Sequence, residues 1–507
     1  MNKIVLLLLC VAFSFHTAFA NLPKREMRAV WIATVANIDW PSQRTLTSQA
    51  QRQELRKMLD EFQRNNINAV VMQIRPTADA FYPSALEPWS HWLTGKQGVR
   101  PKDYYDPLQF IIDEAHKRCI EVHVWLNPYR VTNSDDLKVL SNDHLYYKKP
   151  ELFVKYGGKY YFDPGLDETR AFLNRVVRDV VERYDVDAIH FDDYFYPYKV
   201  NGEEFPDNDS FKKYPRGFAP HQKADWRRNN VDMVIAELQQ TIKSAKPWVE
   251  FGISPFGVWR NNNVDPRGSA TRAGVQNYDD LYADILKWLR EGTIDYVTPQ
   301  LYWEIGKKVA DYSVLVKWWS ENSYGKNLYV GLYASQLGQK TAPAEWRKGN
   351  ELVRQMQLNK SYPQVDGAMF FSAKAIMGNY QGIADSLSKS LYRYPALTPV
   401  NRNIAGEPSA QPQNIRVVRD SGEAYLLWDE VDEEGGCKVA YYVVYAFKGK
   451  KVGDMNNPEN IVKLTTENCL DLREIETRFK GYYTFVVTAV NKFKHESRPT
   501  HGVTRKL

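Results

Sequence analysis

The stretch His190-Phe191-Asp192-Asp193-Tyr194 sets two adjacent carboxylates among aromatic side chains at the end of a short apolar run. Such a pair suits acid–base chemistry: a buried carboxyl beside a second one keeps its proton at higher pH than an isolated one does. Cleavage of a glycosidic bond usually needs two carboxyl groups about one reacting centre. The second can also come from elsewhere in the chain. Glu304, two residues after Tyr302, is the best positioned glutamate, with Asp39, Asp79 and Asp265 as competitors. The structural alternative is that one of the two aspartates caps the following turn or pairs with Arg75 or Arg260.

Other chemistries have weaker support. His123 and His190 fall near Asp192, which keeps a metal-dependent deacetylase or amidase open as an alternative. Neither HxH nor HExxH occurs, however, and both histidines read more readily as satisfied interior groups. There is no GxSxG elbow, Walker loop or GxGxxG fingerprint. No cofactor and no metal are expected. Lys and Arg number 67 against 61 Asp and Glu, a net charge of +6 spread along the chain. With no basic stripe or run, a nucleic-acid partner is discounted. The 14 Trp, 32 Tyr and 22 Phe exceed what a core alone needs, and flat rings with a polar edge suit sugar faces.

Eight apolar runs of strand type alternate with helical patterns and supply the scaffold. The runs are Arg28–Val35, Ile67–Arg75, Ile120–Asn127, Val186–Asp192, Val249–Ser254, Ile294–Tyr302, Leu328–Tyr333 and Asp366–Ser372. Alternation of this kind predicts an α/β fold, a (β/α)8 TIM barrel with a parallel sheet. Helix-facing positions must be apolar, which fixes the phase of each strand. Gln73, Arg75, His123, Trp125, Asn127, His190, Asp192, Ser254, Thr298, Gln300, Tyr302, Tyr329, Tyr333 and Ser372 are then predicted to point into the lumen. Branched apolar side chains normally fill such a lumen. A polar set converging at the strand ends therefore marks a site, with Arg75, Asn127, Gln300 and Tyr302 expected to hold a sugar. Rim aromatics (Trp40, Tyr129, Tyr194, Trp259, Trp303 and Tyr333 among them) are expected to line a polysaccharide cleft.

Residues 21–393 are read as the barrel and 394–412, with four prolines, as a linker. Residues 413–507 carry short strand-like runs and are read as a small all-β sandwich. Met1–Ala20 reads as a secretory signal, with Lys3, an apolar run to Phe15 and an Ala-x-Ala end. The chain is thus expected to be exported, periplasmic or extracellular, with no integral membrane segment. Three cysteines lie beyond that signal. Only Cys437 and Cys469 share a domain, and reduced thiols are the favoured state.

Several longer motifs resemble the glycosyl-hydrolase-like family ten. These are Met27–Val35 with Asn37-Ile38-Asp39-Trp40-Pro41, Gln73-Ile74-Arg75-Pro76 with Asp79, and Trp125–Arg130. Phe191–Pro197 and Pro299–Trp303 complete the set. The resemblance covers about residues 26–392. It implies a barrel glycosidase of exported bacterial proteins, acting on peptidoglycan glycan strands stripped of peptides. It supports Asp192 and Asp193 best, and adds Asp39, Trp40, Asp79, Tyr129 and Arg130 as substrate contacts. The C-terminal run Tyr482–Asn491, with Trp428, resembles a fibronectin type III module, a further option for contact with envelope or glycan. Asp192 is expected to stabilise the transition state, directly or by orienting an acetamido group, and Asp193 or Glu304 to donate the proton. A catalytically silent glycan-binding envelope protein is the alternative reading.

Overall fold

The computed structural model describes residues 22–421, 423–476 and 479–507. The expected secretory signal lies outside the described residues. Eight parallel strands close a barrel: β1 Met27–Ile32, β2 Ala69–Arg75, β3 Glu121–Leu126, β4 Ala188–Phe191, β5 Glu250–Ile253, β6 Tyr296–Val297, β7 Asn327–Leu332 and β8 Val365–Phe370. Each strand pairs with its neighbours in sequence, and β8 closes on β1 through Met27 opposite Gly367. All eight expected strands are present.

Helices cover the barrel where the sequence has a 3.6-residue apolar period. Helix α1, Ser48–Arg64, starts at the Thr47 side chain, which accepts from the Ala50 amide, and buries Leu55, Met58, Leu59 and Phe62 on one face. Helix α2, Pro107–His116, has Pro107 at its first position and Asp106 as its cap. Helices α3, Asp167–Arg183, and α4, Lys223–Ala245, cover the middle of the sheet. Two helical patterns of the sequence, Tyr278–Glu291 and Ala344–Asn359, each expected as a single helix, are broken. The first is helical at 277–280 and again at Ile285–Glu291, and the second at Ala344–Arg347 and again at Glu351–Asn359. In each gap a residue takes a left-handed backbone, Tyr282 (φ 53°) and Gly349 (φ 77°), which a right-handed helix cannot absorb. No helix among the described residues is long and apolar enough to cross a membrane.

The lumen is filled by Ala29, Trp31, Val71, Trp125, Ala188, Tyr296, Tyr329 and Met369. Small and large side chains interleave here. Gly252 of β5 lies under the Tyr296 ring, and a Cβ at 252 would come within 1.9 Å of that ring. Only glycine there lets the Tyr296 ring lie across the barrel.

Beyond the barrel, two antiparallel sheets of three and four strands are formed by Arg416–Asp420, Glu423–Leu427 and Cys469–Asp471, and by Val439–Lys448, Ile461–Thr465, Tyr482–Asn491 and Val503–Lys506. They pack around Leu426, Trp428, Val444, Phe485 and Val487. The proline-rich segment that precedes them is laid against the lower end of the barrel. Leu397 is fully buried and pairs by backbone hydrogen bonds with Lys24 and Glu26. Cys119, Cys437 and Cys469 are free thiols.

Candidate active site at the C-terminal ends of the strands

Strand β4 ends at Phe191, and the two aspartates follow at once. Trp125 and Leu126 of β3 lie opposite His190 and Phe191 of β4, so Asn127 emerges beside Asp192. The indole of Trp125 donates to Asp192 Oδ2 at 3.0 Å and the Asn127 amide donates to the same oxygen at 3.1 Å. The Tyr194 backbone N–H donates to Oδ1 at 3.2 Å. Asn127 is itself fixed, because its Oδ1 accepts from the Arg130 N–H at 2.9 Å. Asp192 is 4% exposed. Burial raises its pKa above the ordinary carboxylate value, against the opposing pull of Arg130, Trp125, Asn127 and the Tyr194 amide.

Asp193, also buried, is pushed up to about 6 by burial and then by the charge of Asp192. Hydrogen bonds from Tyr198 and Gln300 pull the other way. Tyr198 Oη donates directly to Asp193 Oδ2. Three N–H groups aimed at Asp192 favour its charged form, and that charge in turn favours the proton on Asp193.

Around this floor stand half-buried rings in two arcs. Arg130 lies 4.2 Å above the Tyr194 ring, Tyr194 meets Tyr198 at 5.5 Å, Tyr198 meets Phe256 at 6.2 Å, and Phe256 meets Trp303 at 5.3 Å. In the second arc Tyr302 stacks on Tyr333 at 4.8 Å, and both lean on Phe371. Each ring keeps part of its surface in solvent while its remainder is pinned, as a sugar platform requires.

Asn127, Arg130, Asp192, Asp193, Tyr194, Gln300, Tyr302, Trp303 and Tyr333 are therefore brought together at the C-terminal ends of the strands. Others sit apart from them. Arg75 was expected in the lumen, but a register shift after Gln73 sets it opposite Leu126, on the helix-facing side. It is fully buried, donating to Glu87 at 2.7 Å and to the Pro128 carbonyl at 3.0 Å. It builds the β3 loop and faces no cleft. Trp40 and Trp259 are sealed, with their indoles bound to the Gln51 carbonyl and Asp284. Tyr129 is 1% exposed. Asp39 accepts from Ala33, Ser372 and Lys374, tying the β1 loop to the end of β8. Asp79 is buried against Thr77 and Gln97. Glu304 is held by the Trp346 indole at 3.2 Å and by Lys307 at 3.2 Å. Arg260 pairs with Asp265 and Asp279.

His123 and His190 are buried in the lumen with all four ring nitrogens hydrogen-bonded, to Glu121, Tyr296 and Ser254. Among the described residues no group of three or more His, Cys, Asp or Glu is placed to hold a metal. Tyr198, Phe256 and Phe371 were not singled out from the sequence. Tyr198 lies only five residues from Asp193, and Pro197 is the turn signal that could have found it.

The closed parallel barrel, with adjoining carboxylates at the C-terminal ends of its strands beneath a rim of aromatic rings, is a (β/α)8 barrel with its candidate site at the end where such barrels carry one. The family profile of glycosyl hydrolase-like 10 matches residues 26–348, and the chain belongs to that family. It is 45% identical over 485 residues to glycosyl hydrolase YngK of Bacillus subtilis, covering 95% of this chain and 94% of that one. It is 41% identical over 370 residues to glycosyl hydrolase DigH of Escherichia coli K12, covering 68% and 83% respectively. Among solved structures, the glycoside hydrolase domain of PgaB (BpsB) from Bordetella bronchiseptica aligns with a TM-score of 0.49 at 11% identity, over 72% of this chain and 99% of that one.

Proposed function

We propose that the protein is an exported hydrolase of glycosidic bonds in an N-acetylhexosamine-rich glycan, with peptide-free peptidoglycan strands as the substrate implied by the family resemblance. The observation that carries this reading is the unequal pair Asp192–Asp193. Asp193, protonated up to about pH 6, donates its proton to the leaving oxygen. Asp192, oriented by Trp125, Asn127 and Tyr194, carries the charge that stabilises the developing oxocarbenium ion or orients the substrate's acetamido group. Gln300 and Arg130 flank the two carboxyls, and the Tyr302–Tyr333 stack supplies a platform. Glu304, already engaged by Lys307 and Trp346, is the weaker choice of acid.

The C-terminal sheets, read as a fibronectin type III-like module, support the barrel, and the periplasm or extracellular space is the site of action. Digestion of purified denuded glycan strands, with products identified by mass spectrometry, tests the reading. Wild type should release new reducing ends, and Asp192→Asn should release far fewer. Equal product from both would overturn the assignment. Binding with no cleavage across a glycan panel would favour a silent glycan-binding protein.

A further inference from the structure

Beneath the site the lumen holds buried polar groups that the hydrolytic step does not use. They form a hydrogen-bond chain from the floor of the barrel to the Ser254 hydroxyl, and the backbone carbonyl of the same residue seats Gln300 at the catalytic end. At the floor, Lys494 of the C-terminal module enters between Glu121 at the start of β3 and Glu250 at the start of β5, with its Nζ 3.0 Å from a carboxylate oxygen of each. The three residues are 6%, 9% and 0% exposed. Lys494 holds a left-handed backbone, φ 65°, in the turn after strand Tyr482–Asn491, a conformation uncommon for a residue that carries a side chain. Above it, Glu121 Oε2 meets His123 Nε2 at 3.0 Å, and His123 Nδ1 meets Tyr296 Oη at 3.0 Å. Tyr296 Oη meets His190 Nδ1 at 2.9 Å, and His190 Nε2 meets Ser254 Oγ at 3.0 Å. The Ser254 carbonyl then accepts from the Gln300 amide at 2.9 Å, and Gln300 hydrogen-bonds Asp193.

The direction of this chain follows from donor counting. Tyr296 has one hydroxyl proton to share between two imidazole nitrogens, so at most one Nδ1 can be bare. Glu121, ion-paired to Lys494, is acceptor-only, so His123 must donate from Nε2 and its Nδ1 is the bare one. Tyr296 therefore donates to His123, His190 donates from Nδ1 to Tyr296, and Ser254 donates to the bare Nε2 of His190. From Ser254 to Glu121 every proton points toward the floor.

We infer that Lys494 is a positioning residue: by keeping Glu121 an acceptor, the C-terminal module sets the direction of a buried hydrogen-bond chain that ends at Ser254, the seat of Gln300. Without the lysine, two buried carboxylates share no cation, and Glu121 takes a proton on the oxygen facing His123, since its other oxygen already accepts from Thr398 at 2.6 Å. It then donates to His123 Nε2, and each link above reverses in turn. The module is thus part of the catalytic barrel's interior as well as its neighbour.

Nitrogen-15 NMR of the imidazoles in the full chain reads this directly. In wild type, His123 should carry its proton on Nε2 and His190 on Nδ1. The opposite pair overturns the inference whether or not any variant folds. In Lys494→Met both tautomers should exchange, and kcat on denuded glycan should fall on the order of tenfold with KM within twofold, as expected for a displaced positioning group. Unchanged tautomers in a folded Lys494→Met overturn the role of the lysine. With Tyr296→Phe as the background, adding Lys494→Met should still change the His123 tautomer and should leave that of His190 as it is in Tyr296→Phe alone, because the link is cut. A His190 tautomer that differs between the single and the double variant overturns the chain. The kinetic arm rests on the hydrolase reading. The NMR arm does not, so correct tautomers in a protein that cleaves no glycan sink that reading and leave this one standing.

Discussion

The phenol of Tyr198 donates a hydrogen bond to Asp193 Oδ2, and this contact opposes the burial and the Asp192 charge that together raise the Asp193 pKa to about 6. Tyr198 is thereby a control on the proposed acid. It lowers the pH at which the proton is lost, and it fixes which oxygen faces the cleft.

Removal of that hydroxyl gives a signed pH effect. A general acid works while protonated, so activity falls as pH rises through its pKa. Tyr198→Phe removes a donor that favours the ionised form, so the Asp193 pKa should rise and the alkaline limb of kcat/KM should move above its wild-type position near pH 6. A limb that stays put or moves to lower pH separates Asp193 from the proton transfer.

Asp193→Asn keeps the side chain's shape and removes its acid. A fall in kcat of about 10²–10⁴-fold is expected on a glycan with a poor leaving group. The loss should shrink on an aryl glycoside whose leaving group needs no proton. An equal loss on both substrates would point to binding in place of acid catalysis.

The Arg75–Glu87 pair gives a stability prediction without chemistry. Both side chains are buried, at 0% and 2% exposure, and Glu87→Ala leaves an uncompensated guanidinium inside the protein. A loss of about 3–5 kcal/mol is expected in chemical denaturation. Because Arg75 also supports the loop carrying Asn127, residual folded enzyme should show a reduced kcat.

Two aromatic substitutions separate core from cleft. Trp40→Ala should destabilise by about 3–5 kcal/mol, since the ring is fully buried against Phe81. Tyr333→Ala removes a half-exposed ring stacked on Tyr302, and should raise KM while moving Tm by no more than a few degrees. A Tyr333→Ala enzyme with unchanged KM on long glycans would remove this ring from the substrate path.

The barrel was legible in the chain because it follows from period alone. Apolar runs of strand length alternating with amphipathic stretches admit few other topologies, and a helix-facing position must be apolar wherever it falls. Asp192, Asn127, Gln300 and Tyr302 were placed in the lumen by that parity rule, and the parity holds in β3 and β4. It failed at Arg75, where one extra residue after Gln73 reverses which side the chain faces, and no residue type announces such a shift. It also could not tell a buried rim tryptophan from an exposed one, since Trp40 and Trp303 each follow a strand closely and differ only in what the loops fold over them.

What the residues determined by themselves was the scaffold and the strand end at which two carboxylates meet, because these depend on local spacing. The closure of Tyr198 onto Asp193, the burial that raises that acid, and the entry of Lys494 into the barrel floor between Glu121 and Glu250 were decided only in three dimensions. Each joins groups through folded loops or across more than two hundred residues, where pattern has no reach and only packing brings charges within bonding distance.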